Sequence, residues 1–263
     1  MRSRQGSSLK AHLMSEVDPA MCTGPLAAFA FMTGFVDVVS FSAIFVWCGF
    51  QTGNFAQLAI AIARLFESQH DLTFHLADQQ ALVSLITFNA GAFLGRIGDR
   101  IGHHRRLWLM LGTLIQALLL MVASICLWKS GQGGVADARA NPSWTNGLTF
   151  VALGFMSASL GLQGVLGKRL NTQFGTTIVL TTIWVEITND PGLFNIKRSV
   201  KTRDHRLIAA GSLFLGAFIG RAILGKAGSP AALAVGVGLR VIISLGWLLV
   251  PGKEPVTKQN QSV

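Results

Sequence analysis

Two charged side chains sit in the middle of long apolar stretches: Asp37 within residues 26–48 and Arg240 within residues 231–250. Placing either charge at the centre of a bilayer costs about 2.5–3.5 kcal/mol on insertion scales, and neither can easily snorkel out from mid-span. A mutual ion pair inside a helix bundle is the economical solution. Such a pair could simply lock the first and last apolar segments together. Alternatively, Asp37 could exchange a proton or bind a cation while Arg240 holds an anion.

A second group of polar residues marks breaks in the apolar pattern. Thr52-Gly53-Asn54 stands where one long apolar stretch stops and a short one starts. Thr and Asn are good amino-terminal caps, and Gly permits the tight turn. A helix that starts inside a membrane aims unpaired N–H groups and a positive dipole end at the interior, an arrangement that suits anionic or carbonyl groups. Thr176 and Thr177 are placed to do the same from elsewhere in the chain. These residues could also do no more than cap a break. Gln51, Gln116 and Gln163 are further amides at membrane depth, able to line a cavity or to bind helices together.

Signatures of catalysis are lacking. The sequence has no His-Glu-x-x-His, no phosphate-binding loop, no Gly-x-Ser-x-Gly and no Cys-x-x-Cys. His70, Asp71, His75 and Asp78 read as ordinary loop polarity rather than a metal site. No enzyme activity, metal or cofactor is expected.

Composition fixes the solvent that the elements must face. Of 263 residues, 51% are hydrophobic and 13% charged, against about 25% charged in a soluble domain. Mean hydropathy is +0.50. The net charge of +10 gathers beside apolar spans, at Arg96 to Arg106 and Lys197 to Arg206. That is the distribution of the positive-inside rule rather than of a nucleic-acid footprint. A bilayer crossing takes about 20 residues as a helix. Six segments qualify, 26–48, 80–98, 107–128, 147–167, 207–225 and 231–250, whereas 54–66 and 176–188 are too short to span. If the short ones are re-entrant half-helices, the basic loops and both polar tails, 1–25 and 251–263, fall on the cytoplasmic side, with loops 67–79 and 129–146 outside. The first helix is expected to be retained rather than cleaved as a signal.

The chain also repeats itself. Gly91-Ala92-Phe93-Leu94-Gly95-Arg96 recurs as Gly216-Ala217-Phe218-Ile219-Gly220-Arg221, an offset of 125. At an offset of 124, Phe50-Gln51-Thr52-Gly53 meets Phe174-Gly175-Thr176-Thr177, Gly112 meets Gly236, and Gln116 meets Arg240. Gly34-Phe35 pairs with Gly161-Leu162. The expected architecture is all-α: two membrane repeats, 26–128 and 147–250, each with three spans and one half-helix. Three crossings are an odd number, so the second repeat must be inverted, as in many secondary transporters. The Gly-x-x-x-Gly pairs mark close helix contacts.

Gly34-Phe35-Val36-Asp37, Phe50-Gln51-Thr52-Gly53-Asn54, Gly161-Leu162-Gln163, Thr176-Thr177 and the paired Gly-Ala-Phe-x-Gly-Arg motifs resemble the YoaK-like family of integral membrane proteins. The resemblance implies a multi-span membrane protein and no particular activity. It departs at Gly164, where that family often has Asn. Asp37, Gln51, Thr52, Gly53, Asn54, Gln116, Gln163, Thr176, Thr177 and Arg240 are the expected binding residues for a small anionic or polar solute near the midplane. The competing expectation is a scaffold whose basic loops bind lipid or a partner.

Overall fold

The computed structural model describes residues 9–67, 73–195 and 197–253. Those residues are helical, with no strand among them. The helices are α1 (Thr23–Ile44), α2 (Gln51–Ala63), α3 (Leu76–Gly95), α4 (Ile97–Ile101), α5 (Arg106–Ser130), α6 (Gly147–Leu170), α7 (Thr181–Thr188) and α8 (Lys201–Gly246). Five helical stretches are long and apolar enough to cross a membrane: α1, α3 continuing through α4, α5, α6 and α8. Large apolar side chains such as Phe93, Phe214, Phe218 and Ile242 stay exposed on them, as a lipid-facing surface requires.

Helix α8 has 46 residues, which at about 1.5 Å per residue is twice the length a bilayer needs. Gly228 breaks it with a non-helical φ of 79° and ψ of 172°, two residues before Pro230. Only glycine adopts this conformation readily. The two arms double back, because Gly220 on one and Gly236 on the other both lie against Phe35. The expected boundary between 207–225 and 231–250 therefore falls within α8, at this turn.

Glycine sets the helix contacts. A Cβ at Gly34 of α1 would lie 2.0 Å from the Leu213 carbonyl and 2.9 Å from the Ala217 nitrogen on α8. On α6, a Cβ at Gly161 would lie 1.9 Å from the Phe88 carbonyl and 3.0 Å from the Ala92 nitrogen on α3. Gly91 and Gly216 complete the same pair of contacts, against the carbonyls of Ala158 and Phe31. Backbone thus meets backbone where α1 crosses α8 and where α6 crosses α3, as small-residue packing in membranes favours. Helix α5 lies antiparallel to the second arm of α8. Ser124 donates to the Pro230 carbonyl (2.7 Å), Ser244 to that of Met110 (2.9 Å), and Trp247 to Thr113 (3.0 Å).

Polar contacts gather at two ends. At one, Val17 donates to the His104 carbonyl (3.0 Å), Asp18 to that of Pro251 (3.0 Å), and Arg106 to that of Val250 (2.6 Å). Arg206 joins Glu186 and Asp190 there, tying the end of α7 to the start of α8. The Thr202 hydroxyl and the Gly192 N–H hold the Asp190 carboxyl below its ordinary range, with Arg206 and Arg203 adding to the effect. At the other end, Gln80 donates to the Trp144 carbonyl (2.7 Å), and Ser143 to that of Ala43 (2.8 Å). Asp78 pairs there with Arg64. Of the polar outer-loop residues, His70 and Asp71 lie outside the described residues, as does Lys258 of the carboxyl-terminal tail.

These contacts make the glycines unequal. Gly91→Ala and Gly216→Ala should each destabilise the protein by about 1–3 kcal/mol, as overpacking does. Gly238→Ala, whose Cβ would meet nothing within 4 Å, should be neutral or stabilise by up to about 1 kcal/mol. Thermal unfolding in detergent checks this, and equal losses at all three positions would contradict the packing.

Candidate functional site

Two breaks in the helical pattern approach each other inside the bundle. In the first, α1 ends at Phe45 with a left-handed φ of 57°, and residues 46–50 return before α2 begins at Gln51. Asp37, 1% exposed, reaches this returning chain. Its Oδ1 accepts from the N–H groups of both Cys48 and Gly49, each at 2.7 Å. Ser84 donates to the Trp47 carbonyl (2.9 Å), and Asn54 Nδ2 donates to the same carbonyl (2.8 Å). Gln51 Nε2 donates to the Cys48 carbonyl (2.6 Å) and to Ser84 (3.0 Å), and the Ser84 hydroxyl meets that of Ser157 on α6 at 2.9 Å.

The second break runs from Asn171 to Leu180, between α6 and α7. Thr177 lies in it with φ at 61°, an uncommon conformation for a β-branched residue and costly by about 1–3 kcal/mol. Two buried groups hold it. Thr33 of α1 donates to the Thr177 carbonyl (2.9 Å), and Gln163 Nε2 donates to Thr177 Oγ1 (3.0 Å), Thr33 Oγ1 (2.9 Å) and the Phe29 carbonyl (2.9 Å). Thr33 and Asp37 are one turn apart, so α1 fastens both breaks within about 6 Å along its axis. The breaks themselves meet where a Cβ on Gly49 would lie 3.2 Å from Ile178.

Beside this junction opens a groove of about 730 Å³, within the range of small-molecule sites. Gly49, Gln51 and Thr52 line it from the first break, and Thr176, Ile178 and Val179 from the second. Phe88, Asn89, Ala92 and Phe93 of α3 face Gly161, Gly164 and Val165 of α6 across it. Its polar end carries Arg96, Asp99, Lys168 and Arg169. Arg169 is paired with Asp99 at 2.8 Å. Among the described residues, neither Arg96 nor Lys168 has a carboxylate within ion-pair distance; Arg96 lies over the Phe93 ring at 5.9 Å. The groove therefore offers apolar walls, a few amides and hydroxyls, and unneutralised positive charge at one end.

Several expected roles change. Asp37 and Arg240 do not pair: Arg240 donates to Gln116 and lies over the Phe29 ring at 5.7 Å. They sit on different levels, since Phe29 and Asp37 are two turns of α1 apart, or about 12 Å along its axis. Of the expected binding residues, Gln51, Thr52 and Thr176 line the groove, whereas Asp37, Gly53, Asn54, Gln116, Gln163, Thr177 and Arg240 do not. Thr52 and Asn54 do not cap α2, whose first residue is Gln51 and whose N-cap Phe50 has no side-chain bond. Thr52 and Gly53 lie exposed in the first helical turn, and Asn54 turns inward. Thr176 and Thr177 precede the helical part of the second break, because the 176–188 segment is helical only from Thr181. Arg96, Lys168 and Arg169 were not among the expected binding residues. They stand at span ends, and only the packing of α3 on α6 turns them towards a groove.

Bond loss and accessibility separate the two layers of the site. Gln163→Leu should cost about 2–3 kcal/mol by stranding the Thr33 and Thr177 groups. In a background lacking Cys22, Cys48 and Cys126, Thr52→Cys and Thr176→Cys should react with a thiol reagent in detergent, and Thr177→Cys, whose parent side chain is 2% exposed, should not. Equal reactivity at all three would place the groove elsewhere.

No curated protein and no solved structure matches the chain. The family model described as "Protein of unknown function (DUF1275)" matches residues 26–246. The resemblance read from the motifs is consistent with that match. This membrane-like helical chain belongs to the DUF1275 family, whose function is unknown.

Proposed function

We propose that the protein is a secondary transporter or permease for a small organic anion, which binds in the groove beside the two helix breaks. The observation that carries the reading is the groove itself: two interrupted helices meet at its floor, and unpaired Arg96 and Lys168 stand at one end. In this reading the arms of α8 are separate crossings, which makes six spans, and α2 and α7 are re-entrant. Contacts along α2 support re-entry. Its start bonds Ser84, inside α3, and the Arg64 that follows it pairs with Asp78 at the beginning of α3. Contacts of α7 with α8 run the same way, from Glu186 and Asp190 to Arg206 and Thr202.

Inverted duplication accounts for the paired contacts. Gly34 against Leu213 and Ala217 corresponds, at the sequence offsets already noted, to Gly161 against Phe88 and Ala92. Gln116 and Arg240, equivalent positions of the two repeats, touch each other, as residues beside a pseudo-two-fold axis would. Each half then contributes a helix to the other's pair, α1 to α8 and α6 to α3. The end that gathers residues 9–22, residues 247–253 and the starts of α5 and α8 is basic, which supports a cytoplasmic side for it. The bilayer is the protein's solvent, and no nucleic acid is involved.

A scaffold role rests on the same basic end, which could hold anionic lipid. Probe binding separates the two. Octane-1-sulfonate, a permanent anion with an apolar chain, should stabilise the detergent-purified protein by about 2.7 kcal/mol at 100 times its dissociation constant. Arg96→Gln and Lys168→Gln should each weaken it by about tenfold, roughly 1.4 kcal/mol, and Arg221→Gln should leave it unchanged. Octanol should bind far more weakly. Stabilisation that is the same in the Arg96→Gln/Lys168→Gln double variant, or none by any anion, would favour the scaffold.

A further inference from the structure

Asp37 has a second oxygen that the helix break does not use. Oδ1 takes both backbone N–H groups, whereas Oδ2 is buried and has no hydrogen-bond partner among the described residues. Oδ2 lies against the bare α-carbon of Gly49, 2.9 Å from where a Cβ would stand, and Gly49 lines the groove. Among the described residues, the surroundings of Oδ2 hold no counter-charge. On the break, the titratable neighbour is the Cys48 thiol, which donates to Ser40 (3.3 Å). From α6 and the second break, the groups that share Gly49's bare side are Leu160 and Ile178. On α8, Arg240 is engaged with Gln116 near the level of Phe29. The charges of the groove, Arg96, Asp99, Lys168 and Arg169, stand at its polar end.

We propose that Asp37 Oδ2 is a proton-binding site at the floor of the groove, and that its proton is taken up together with an organic anion. The proposal rests on the groove being the anion site. An anion at Arg96 and Lys168 stands about two turns of α6 beyond Leu160, roughly 12 Å from the level of Oδ2, and in a medium that screens poorly two negative charges at that range still repel. A proton added to Oδ2 converts the carboxylate to the neutral acid and removes the repulsion. Oδ1 can still accept from Cys48 and Gly49 afterwards, so the proton enters without releasing the break. A carboxylate used only to hold the break would need Oδ1 alone. Gly49 is the one residue type that leaves Oδ2 room there, since any side chain would press on it and on Ile178 and Leu160. One proton per monovalent anion makes the loaded carrier neutral relative to the empty, ionised one, so the membrane potential would not oppose entry.

The test uses the full-length protein in neutral detergent. Octane-1-sulfonate does not itself titrate near neutrality, so any pH dependence of its binding belongs to the protein. Its affinity should rise as pH falls, by up to about tenfold per pH unit, the limit for one linked proton. Asp37→Asn should abolish that dependence. Infrared difference spectra of wild-type protein should show, on acidification, a carboxylic C=O band lowered in frequency by the two N–H groups from which Oδ1 still accepts. That band should be absent from Asp37→Asn. An unchanged pH dependence in Asp37→Asn, or no such band in wild type, overturns the proposal. Should Asp37→Asn fail to fold, wild-type protein with carbon-13-labelled aspartate decides it, because an aspartate band must shift and a glutamate band will not. If the sulfonate does not bind at all, the groove reading has failed, while the infrared band still decides whether Asp37 takes the proton.

Discussion

A helix that stops inside a bilayer leaves N–H and C=O groups that lipid cannot satisfy, and the protein must supply their partners itself. Here two side chains take on much of that task. The Asp37 carboxylate holds the N–H groups of Cys48 and Gly49, and the Gln163 carboxamide, with Thr33, holds the strained Thr177. Everything else about the site depends on these few bonds. Each replaces a group that would otherwise be buried unpaired at a cost of about 1–3 kcal/mol. Because Thr33 and Asp37 share a face of α1, that helix fixes where both breaks lie.

Placement of α1 is in turn a matter of glycine. Gly34 lets it lie on the backbone of α8 at Leu213, and Gly161 lets α6 lie equally close to Phe88 of α3. Lipid provides no hydrophobic force between helices, so contacts this close supply dispersion energy that bulkier residues would forfeit. The result is two tight helix pairs with the broken segments between them. In the proposed function, the groove between the two pairs, floored by non-helical chain, would be the hinge for their relative motion. Its basic end and apolar walls would, in that function, favour an anion with a carbon skeleton over a bare inorganic ion.

Much of this was legible in the sequence. The apolar blocks and their glycine motifs announced the helices and the contacts, and Phe50-Gln51-Thr52-Gly53 marked the first break to within a residue or so. Hydropathy could not say which way a side chain points, and the misreadings have that origin. Asp37 and Arg240 are both mid-span, which invited pairing. Depth along a helix and direction around it are separate coordinates, and the two residues differ in level. Arg96 and Lys168 stand at span ends, the ordinary place for a cation, so the pattern gives neither of them a role in a site. Their shared groove depends on α3 lying against α6, a long-range contact that no local pattern encodes. The turn at Gly228 falls between the two apolar segments read as separate spans, 207–225 and 231–250.

The central claim is that a solute held in the groove reaches both sides of the membrane in turn. Counterflow in liposomes tests it most directly. Purified protein is reconstituted with unlabelled octane-1-sulfonate inside, and entry of the radiolabelled anion from a trace outside concentration is followed. A carrier should accumulate label transiently, saturate with outside anion, and lose the overshoot when Arg96 and Lys168 are both changed to Gln. Entry that matches protein-free liposomes, or that rises linearly with concentration and shows no overshoot, would contradict alternating access and leave a membrane protein whose groove only binds.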